Sequence, residues 1–170
     1  MTRTLLVLPW LLLVVSLTLA ADEKKDEDKP TVKLSDDEKM ILELANKERG
    51  KNKTPALKLN KILCEVARKH NENMAKKNKV AHLLDGKNPA QRVTAAGYRY
   101  ASVGENLAWI EGDEDCKPPT PARIHKLWMD SKTHKANIVA GKFTEIGISK
   151  YKGSKGDYYY TQVFARPARK

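Results

Sequence analysis

Cysteine is scarce in this chain, with two residues among 170. Two thiols exclude a small scaffold held by many disulfides and a zinc site with four thiolate ligands. The sequence also has no internal repeat, no glycine-rich phosphate loop and no motif that recognises nucleic acid. It therefore gives no support to a repeat protein, a phosphate-loop nucleotide enzyme or a nucleic-acid-binding protein.

What is present suits one domain with a core of its own. The length fits a single domain, and 41% of the residues are hydrophobic. Lys and Arg total 32 against 21 Asp and Glu, which gives a formal net charge of +11. A charge of this sign is compatible with nucleic acid, with an anionic cell envelope, or with solubility alone, so composition does not select among them.

The N-terminus has the pattern of a secretory signal peptide. Arg3 supplies a positive charge, residues 5–19 form an almost unbroken apolar run, and Thr18 and Ala20 are small residues at a cleavage site. An uncleaved membrane anchor is the alternative, because about 17 apolar residues can just span a bilayer. We expect cleavage after residue 20 and a secreted or otherwise extracytoplasmic protein.

The remaining chain divides into three parts. Residues 21–33 carry mixed charges and few apolar side chains, so we expect a flexible linker. The folded domain is predicted at residues 34–167, and a basic tail follows at residues 168–170.

Helical patterns come before strand patterns along this domain. Ser35 and Glu38 form a capping box, Asn88 caps a short helix, and Trp128 lies on a further apolar stripe. A second helix is predicted to begin near Lys58. Residues 145–149 and 158–164 are predicted strands joined by a turn, and residues 105–110 are a third candidate strand. This order predicts an α+β fold with helices on the sheet faces.

The four histidines differ in their surroundings. His70 lies on the apolar stripe of the second helix, which favours a hydrogen-bonded core histidine, and His125 carries no distinguishing mark. Taken alone, His82 and His134 are ordinary surface residues. Ser131 precedes His134 by three positions, but no oxyanion-hole motif accompanies them, and neither cysteine lies in a nucleophile motif.

An ordered set of motifs runs from His82 to the end of the domain. Its members are His82, residues 85–86, Pro89, Arg92, residues 97–98, the Gly-Glu-Asn sequence within residues 104–108, residues 128–131, His134, residues 137–138, 145–148 and 160–164. In this order the sequence resembles the CAP superfamily of cysteine-rich secretory, antigen 5 and pathogenesis-related proteins, and its bacterial SCP-domain branch in particular. The resemblance covers about residues 34–167. It implies a three-layer α-β-α sandwich with a small central antiparallel sheet.

The resemblance also implies a cleft that holds two histidines and two acids. The candidate cleft residues are His82, Glu105, Asn106, Ser131, His134 and Glu145; Glu105 and His134 are the catalytic candidates, and His82 and His134 the metal candidates. Ser131 stands where animal and plant members have a second glutamate. Two imidazoles can bind zinc beside a glutamate that orients water, although catalytic zinc sites usually have three protein ligands. Glu145 is a candidate substitute, and a structural use of Glu105, accepting hydrogen bonds that hold the cleft loops, stays open.

Two functional hypotheses follow from this resemblance. The first is a non-enzymatic binding or interaction module whose partner is a lipid, a sterol or a cell-envelope component, with a further alternative in which the partner-binding surface lies elsewhere, as on the loop at residues 118–121. The second is a metal-dependent hydrolase, such as a protease, that uses His82, Glu105 and His134. Nucleic acid is not an expected partner. Lysines 76, 77 and 79, residues 150–155 and residues 166–170 predict salt-sensitive adsorption to anionic surfaces.

Cys64 and Cys116 lie off the shared family pattern. Cys64 is predicted beside the apolar stripe of the second helix, and Cys116 lies in an acidic segment. Export permits a disulfide, and closing a loop of about 50 residues would contribute roughly 3–4 kcal/mol. We therefore expect these two residues to form a bridge.

Overall fold

A computed structural model describes residues 33–112 and 118–169, which belong to the compact unit Thr31–Lys170. Its elements in chain order are α1 Asp36–Lys51, β1 Lys58–Leu59, α2 Lys61–Lys77, α3 Pro89–Ala95, β2 Tyr100–Ile110, α4 Pro121–Asp130, α5 Lys132–Val139, β3 Glu145–Lys152 and β4 Tyr158–Pro167. The signal peptide predicted at residues 1–20, the linker up to residue 32 and Cys116 lie outside the described residues, so those predictions remain predictions.

The strands form one sheet in the order β1-β3-β4-β2. β4 pairs antiparallel with both β2 and β3, as expected of the predicted hairpin. β1 is short and runs parallel to β3, with Lys58 opposite Glu145 and Leu59 opposite Ile146. The predicted antiparallel sheet therefore has one short parallel strand at its edge.

Helices cover both faces of the sheet. On one face, α1, α4 and α5 pack together over a core that includes Ile41, Trp128 and Phe164. On the other, α2 and α3 contribute Leu63 and Val93 to a second core cluster. This arrangement confirms the α+β class and the three-layer α-β-α sandwich.

The predicted start of the second helix near Lys58 was wrong. Lys58 and Leu59 pair with β3, and the side-chain oxygen of Asn60 accepts hydrogen bonds from the backbone N–H groups of Ile62 and Leu63. The helix therefore begins after the Asn60 cap, because that cap satisfies the first free N–H groups of the helix. The capping box of Ser35 with Glu38, in contrast, is confirmed at the start of α1.

α2 packs against β3 at very short range. A Cβ atom added to Gly147 would lie 2.0 Å from the backbone carbonyl carbon of Leu63. Cys64 is buried at this contact instead of lying beside the core, and burial raises the pKa of its thiol to about 11. Cys64 is a free thiol in the structure, and the disulfide with Cys116 remains untested.

Within residues 33–112 and 118–169, no helix combines the length and the apolar character needed to cross a bilayer.

Candidate functional site

The Gly-Glu-Asn sequence lies in the middle of β2, at the edge of the sheet. Successive side chains of a strand point to opposite faces. Glu105 therefore faces the layer of α2 and α3, while Asn106 faces α5. Gly104 has no room for a side chain, because a Cβ there would lie 2.7 Å from Cζ of Phe143. The three residues thus place an acid and an amide on opposite sides of one strand.

Glu105 is buried and uses both carboxylate oxygens. Its side chain is 1% exposed. His82 Nδ1 donates to Oε1 at 2.8 Å, and Arg92 Nη2 donates to Oε2 at 2.7 Å. His70 Nε2 lies 3.9 Å from Oε1 and 3.1 Å from the carbonyl oxygen of Ala81. The carboxylate is thus the centre of an ion-paired cluster in which each of its oxygens accepts one hydrogen bond.

Arg92 ties this cluster to the loop that carries His82. Its Nη1 donates to the carbonyl oxygens of His82 at 2.9 Å and Lys87 at 2.7 Å. α3 presents Arg92 there because Asn88 and Gln91 form a capping box at the helix start. Arg92 belongs to the motifs that carry the family resemblance, but the resemblance gives it no role. In the structure, Arg92 positions both Glu105 and the loop that carries His82.

His134 lies on the opposite side of β2, in α5. The Ser131 hydroxyl caps α5 and accepts a hydrogen bond from the His134 backbone N–H at 3.4 Å. Asn106 Nδ2 donates to the His134 carbonyl oxygen at 3.0 Å. Partial burial lowers the pKa of His134, and the nearby His82 lowers it further. Ser131 is therefore a helix cap in this structure, with its oxygen turned to the backbone of α5.

A buried amide network holds α5 against the sheet. Asn137 Nδ2 donates to the Glu105 carbonyl oxygen at 3.2 Å and to Asn106 Oδ1 at 2.9 Å. Asn106 Nδ2 also donates to Gln162 Oε1 at 3.1 Å. Sequence reasoning missed the parts played by Asn137 and Gln162, although Asn137 belongs to the motif that follows His134. The network fixes His134 relative to Glu105 through the backbone of β2.

Glu145 is engaged elsewhere. Its Oε2 accepts hydrogen bonds from Asn60 Nδ2 at 2.6 Å and from the Tyr98 hydroxyl at 2.8 Å. Burial and this neighbouring carboxylate raise the pKa of Tyr98. The structure therefore brings Glu145 to the start of α2, where it fastens the Asn60 cap, and does not bring it to His82 or Glu105.

The two remaining histidines are both buried. His70 is the hydrogen-bonded core histidine that its helical position predicts. His125 packs in α4 with neither ring nitrogen hydrogen-bonded among the described residues, and burial lowers its pKa. The sequence signal for this burial is position: His125 directly follows Ile124 and comes three residues before Trp128, and both of these neighbours lie on the apolar stripe of the helix.

The donor set limits what metal the site can hold. Because Glu105 fixes Nδ1 of His82, the other ring nitrogen, Nε2, is the one left for a ligand. His134 offers a second imidazole. Within the part of the chain that the structure describes, no group of three or more His, Cys, Asp and Glu side chains is arranged to hold a metal ion. His82 and His134 together offer at most two imidazole nitrogens, fewer than the three protein ligands usual for catalytic zinc.

Comparison with known proteins decides the family. The family model described as CAP: Cysteine-rich secretory protein family matches residues 42–164. The chain belongs to this family. The match includes the whole cluster around Glu105, so the CAP domain contains His82, Arg92 and His134 as well.

Bacterial relatives share this domain. The uncharacterized protein YkwD of Bacillus subtilis is 33% identical over 112 residues, which is 65% of this chain and 41% of that relative. An outer surface protein of Borrelia burgdorferi superposes with a TM-score of 0.71 at 20% identity, covering 81% of this chain and 97% of that one. An extracellular SCP-domain protein of Bacillus anthracis gives a TM-score of 0.67 at 23% identity, covering 76% and 40%. These two structures support the fold alone.

Proposed function

We propose that this chain is an exported CAP-domain protein that acts as a non-enzymatic binding module through its cleft of His82, Glu105 and His134. The observation that carries the proposal is that both carboxylate oxygens of Glu105 accept hydrogen bonds, one from His82 and the other from Arg92. A carboxylate in this state holds neighbouring groups in place. The ligand class we propose is a lipid, a sterol or a cell-envelope component.

The same contacts argue against general-base catalysis by Glu105. A general base must reach the proton that it abstracts, at about 2.6–3.2 Å or through one water. Glu105 is 1% exposed, so it would first have to break its ion pair with Arg92 and move toward solvent. The hydroxyl oxygen of Ser131 accepts a hydrogen bond from the His134 backbone N–H, and among the described residues no hydrogen bond joins this hydroxyl to the His134 ring.

A metal-dependent hydrolase is the second candidate, and one observation favours it. A carboxylate that accepts a hydrogen bond from one ring nitrogen of a histidine is the usual support of a metal-binding histidine. Glu105 stands in this relation to His82, whose side chain is 53% exposed. In this alternative, His82 Nε2 and His134 would hold a divalent ion such as zinc, which would supply a Lewis acid for the activation of water.

Export rests on the sequence of residues 1–20 and on the relatives. The Borrelia protein is described as an outer surface protein and the Bacillus anthracis protein as extracellular. A basic domain at a cell surface meets anionic polymers and lipids, which agrees with an envelope component as partner.

Zinc titration by calorimetry separates the two candidates. The titrated proteins are the wild type, His82→Ala, His134→Ala and the control His125→Leu, with hydrolysis of a protein substrate and an ester substrate measured alongside. Because the site offers two nitrogens, we expect zinc binding no tighter than about 10 µM and no hydrolysis. Tight one-to-one binding and hydrolysis, both lost in the two alanine variants and kept in the control, would replace the binding-module proposal with the metalloenzyme.

A further inference from the structure

A second surface, separate from the cleft, combines an exposed indole with lysines. Trp109 and Val80 are both 41% exposed and line one cavity of about 280 Å³ with Asn78 and Tyr159. A neighbouring cavity of about 340 Å³ shares Asn78 and Tyr159 with the first. The two cavities therefore form one continuous surface at the end of α2. Trp109 lies on the same strand as Glu105, four residues and about 13 Å further along.

The fold brings together two lysine groups that are far apart in the sequence. Lys76 and Lys77, at the end of α2, line the second cavity together with Lys155 of the β3–β4 turn. Lys79 lies between Asn78 and Val80, which line the first cavity. The turn is closed by a hydrogen bond from Gly153 N–H to the Asp157 carbonyl oxygen at 2.8 Å, which fixes the position of Lys155.

Among the residues that the structure describes, acidic side chains around this surface neutralise only part of the charge. Asp85 pairs with Lys77 at 2.8 Å. Asp157 is buried and accepts hydrogen bonds from the Gly112 backbone N–H and the Tyr159 hydroxyl. Glu111 is exposed at the end of β2. Lys76, Lys79 and Lys155 are all exposed, and none of them has an ion pair among the described residues.

We propose that the lysine–tryptophan surface, formed by Trp109, Val80, Lys76, Lys79 and Lys155, docks onto an anionic lipid bilayer. Tryptophan favours the boundary between headgroups and acyl chains, and lysines near it are attracted to anionic headgroups. A soluble anionic polymer would satisfy the lysines and leave the indole and the valine in water. A second copy of the chain would place like charges against each other. Only a bilayer uses both features.

The test is sedimentation with vesicles, using the chain from Ala21 onward, which contains every described helix and strand. Vesicles of phosphatidylcholine alone are compared with vesicles that also contain phosphatidylglycerol, at low and high salt. The variant K76Q/K79Q/K155Q is matched by K47Q/K53Q/K132Q, which removes three exposed lysines elsewhere. We expect the first triple variant to lower the partition coefficient about tenfold or more, and the control to lower it less than about twofold. Circular dichroism checks that both variants are folded.

Tryptophan fluorescence provides the second readout. The chain from Ala21 has two tryptophans, and Trp128 is 1% exposed, so a blue shift on anionic vesicles reports Trp109. Trp109→Phe should keep most of the binding and lose the shift, and Trp109→Ala should weaken binding about fivefold. Equal losses in the two lysine variants, or vesicle binding without a shift, would overturn the proposal. Equally tight binding to soluble polyphosphate would overturn it in favour of a polymer. None of these outcomes involves His82 or His134, so the cleft proposal is tested separately.

Discussion

His82 and Glu105 are joined by a hydrogen bond of 2.8 Å that crosses from solvent into the core, since the two side chains are 53% and 1% exposed. The buried carboxylate fixes the ring, and the ring presents its other nitrogen outward. Arg92 completes the arrangement by pairing with the second carboxylate oxygen at 2.7 Å. This relationship makes Glu105 a residue that holds its neighbours in place, and in our proposal His82 is the residue that a ligand contacts.

Removing the charge of Glu105 should be costly. In Glu105→Gln the partly buried Arg92 loses its ion pair, and the His82 ring loses a charged acceptor. Breaking one side of a buried charge pair typically costs 3–5 kcal/mol; because His82 is half exposed, we expect about 2–4 kcal/mol. Urea unfolding measures the change. The control is Glu72→Gln, which removes an exposed pair with Arg68 and should cost less than about 1 kcal/mol. Equal costs for the two variants would show that the cluster is not a structural centre.

Close packing at two glycines predicts a graded series of glycine variants. A Cβ at Gly147 meets the backbone of α2 at 2.0 Å, whereas a Cβ at Gly104 meets a ring atom of Phe143 at 2.7 Å. A Cβ added to Gly141 would meet no atom within 4 Å apart from its neighbours in the chain, so Gly141→Ala serves as the control. We expect Gly147→Ala to destabilise by about 3 kcal/mol or more, Gly104→Ala by about 1–3 kcal/mol, and Gly141→Ala by less than about 0.5 kcal/mol. Thermal unfolding measures the loss of stability in each variant. A loss in Gly147→Ala as small as that in Gly141→Ala would contradict this packing.

Buried histidines predict a loss of stability in mild acid. Burial lowers the pKa values of His70, His125 and His134 in the folded protein. As the pH falls through the unfolded value of about 6.5, the unfolded chain binds protons that the folded chain does not, so the free energy of unfolding falls. Urea unfolding at about pH 7.5 and 5.5 measures this loss above the range where carboxyl groups titrate.

His125→Leu isolates one of these histidines. Neither His125 ring nitrogen has a hydrogen-bond partner within the described residues, so the neutral ring gains little that leucine would lose. The variant should lose less stability between the two pH values than the wild type. An unchanged pH dependence would exclude His125 as a contributor, and a wild type that gains stability in acid would contradict the burial of all three rings.

Arg49 is predicted to secure the segment that follows α5. Its side chain donates to the carbonyl oxygens of Pro55 at 2.7 Å, Ile138 at 2.8 Å, Ala140 at 2.9 Å and Phe143 at 2.9 Å. Arg49→Met removes all four of these hydrogen bonds, two of them to buried carbonyl oxygens, and should cost about 3 kcal/mol or more.

The matched control for Arg49 is Lys47→Met, an exposed position on the same helix, with an expected change within about 0.5 kcal/mol. Arg49→Lys should fall between the two, because an ammonium group cannot reach four acceptors in the geometry of a guanidinium. If Arg49→Met and Lys47→Met had the same free energy of unfolding, the four hydrogen bonds would have no net effect on stability.

Local chemistry explains which parts of the fold the sequence predicts. The box of Ser35 and Glu38 and the cap at Asn88 are set by residues three positions apart, and both form as predicted. The start of α2 was mispredicted because β1 exists only through its pairing with β3, about 85 residues away along the chain. The short helix α5 begins at a cap, Ser131, that also ends α4.

The site is harder to predict, because its contacts join distant segments. The family resemblance names His82, Glu105 and His134, but no spacing in the sequence reveals that Arg92 neutralises Glu105. Glu145 shows the converse: an acid in a family motif is used by Asn60 and Tyr98, two strands across the sheet from Glu105. The partners of a buried carboxylate follow from tertiary packing, which sequence patterns do not specify.

We propose that Glu105 holds His82 and Arg92 in place and does not itself bind a metal or react. A crystal structure grown with zinc, with the metal located by its anomalous scattering, tests the claim most directly. We expect Glu105 to keep both hydrogen bonds and any zinc to lie on Nε2 of His82. A map in which the Glu105 carboxylate has left Arg92 and coordinates zinc together with His82 and His134 would contradict it.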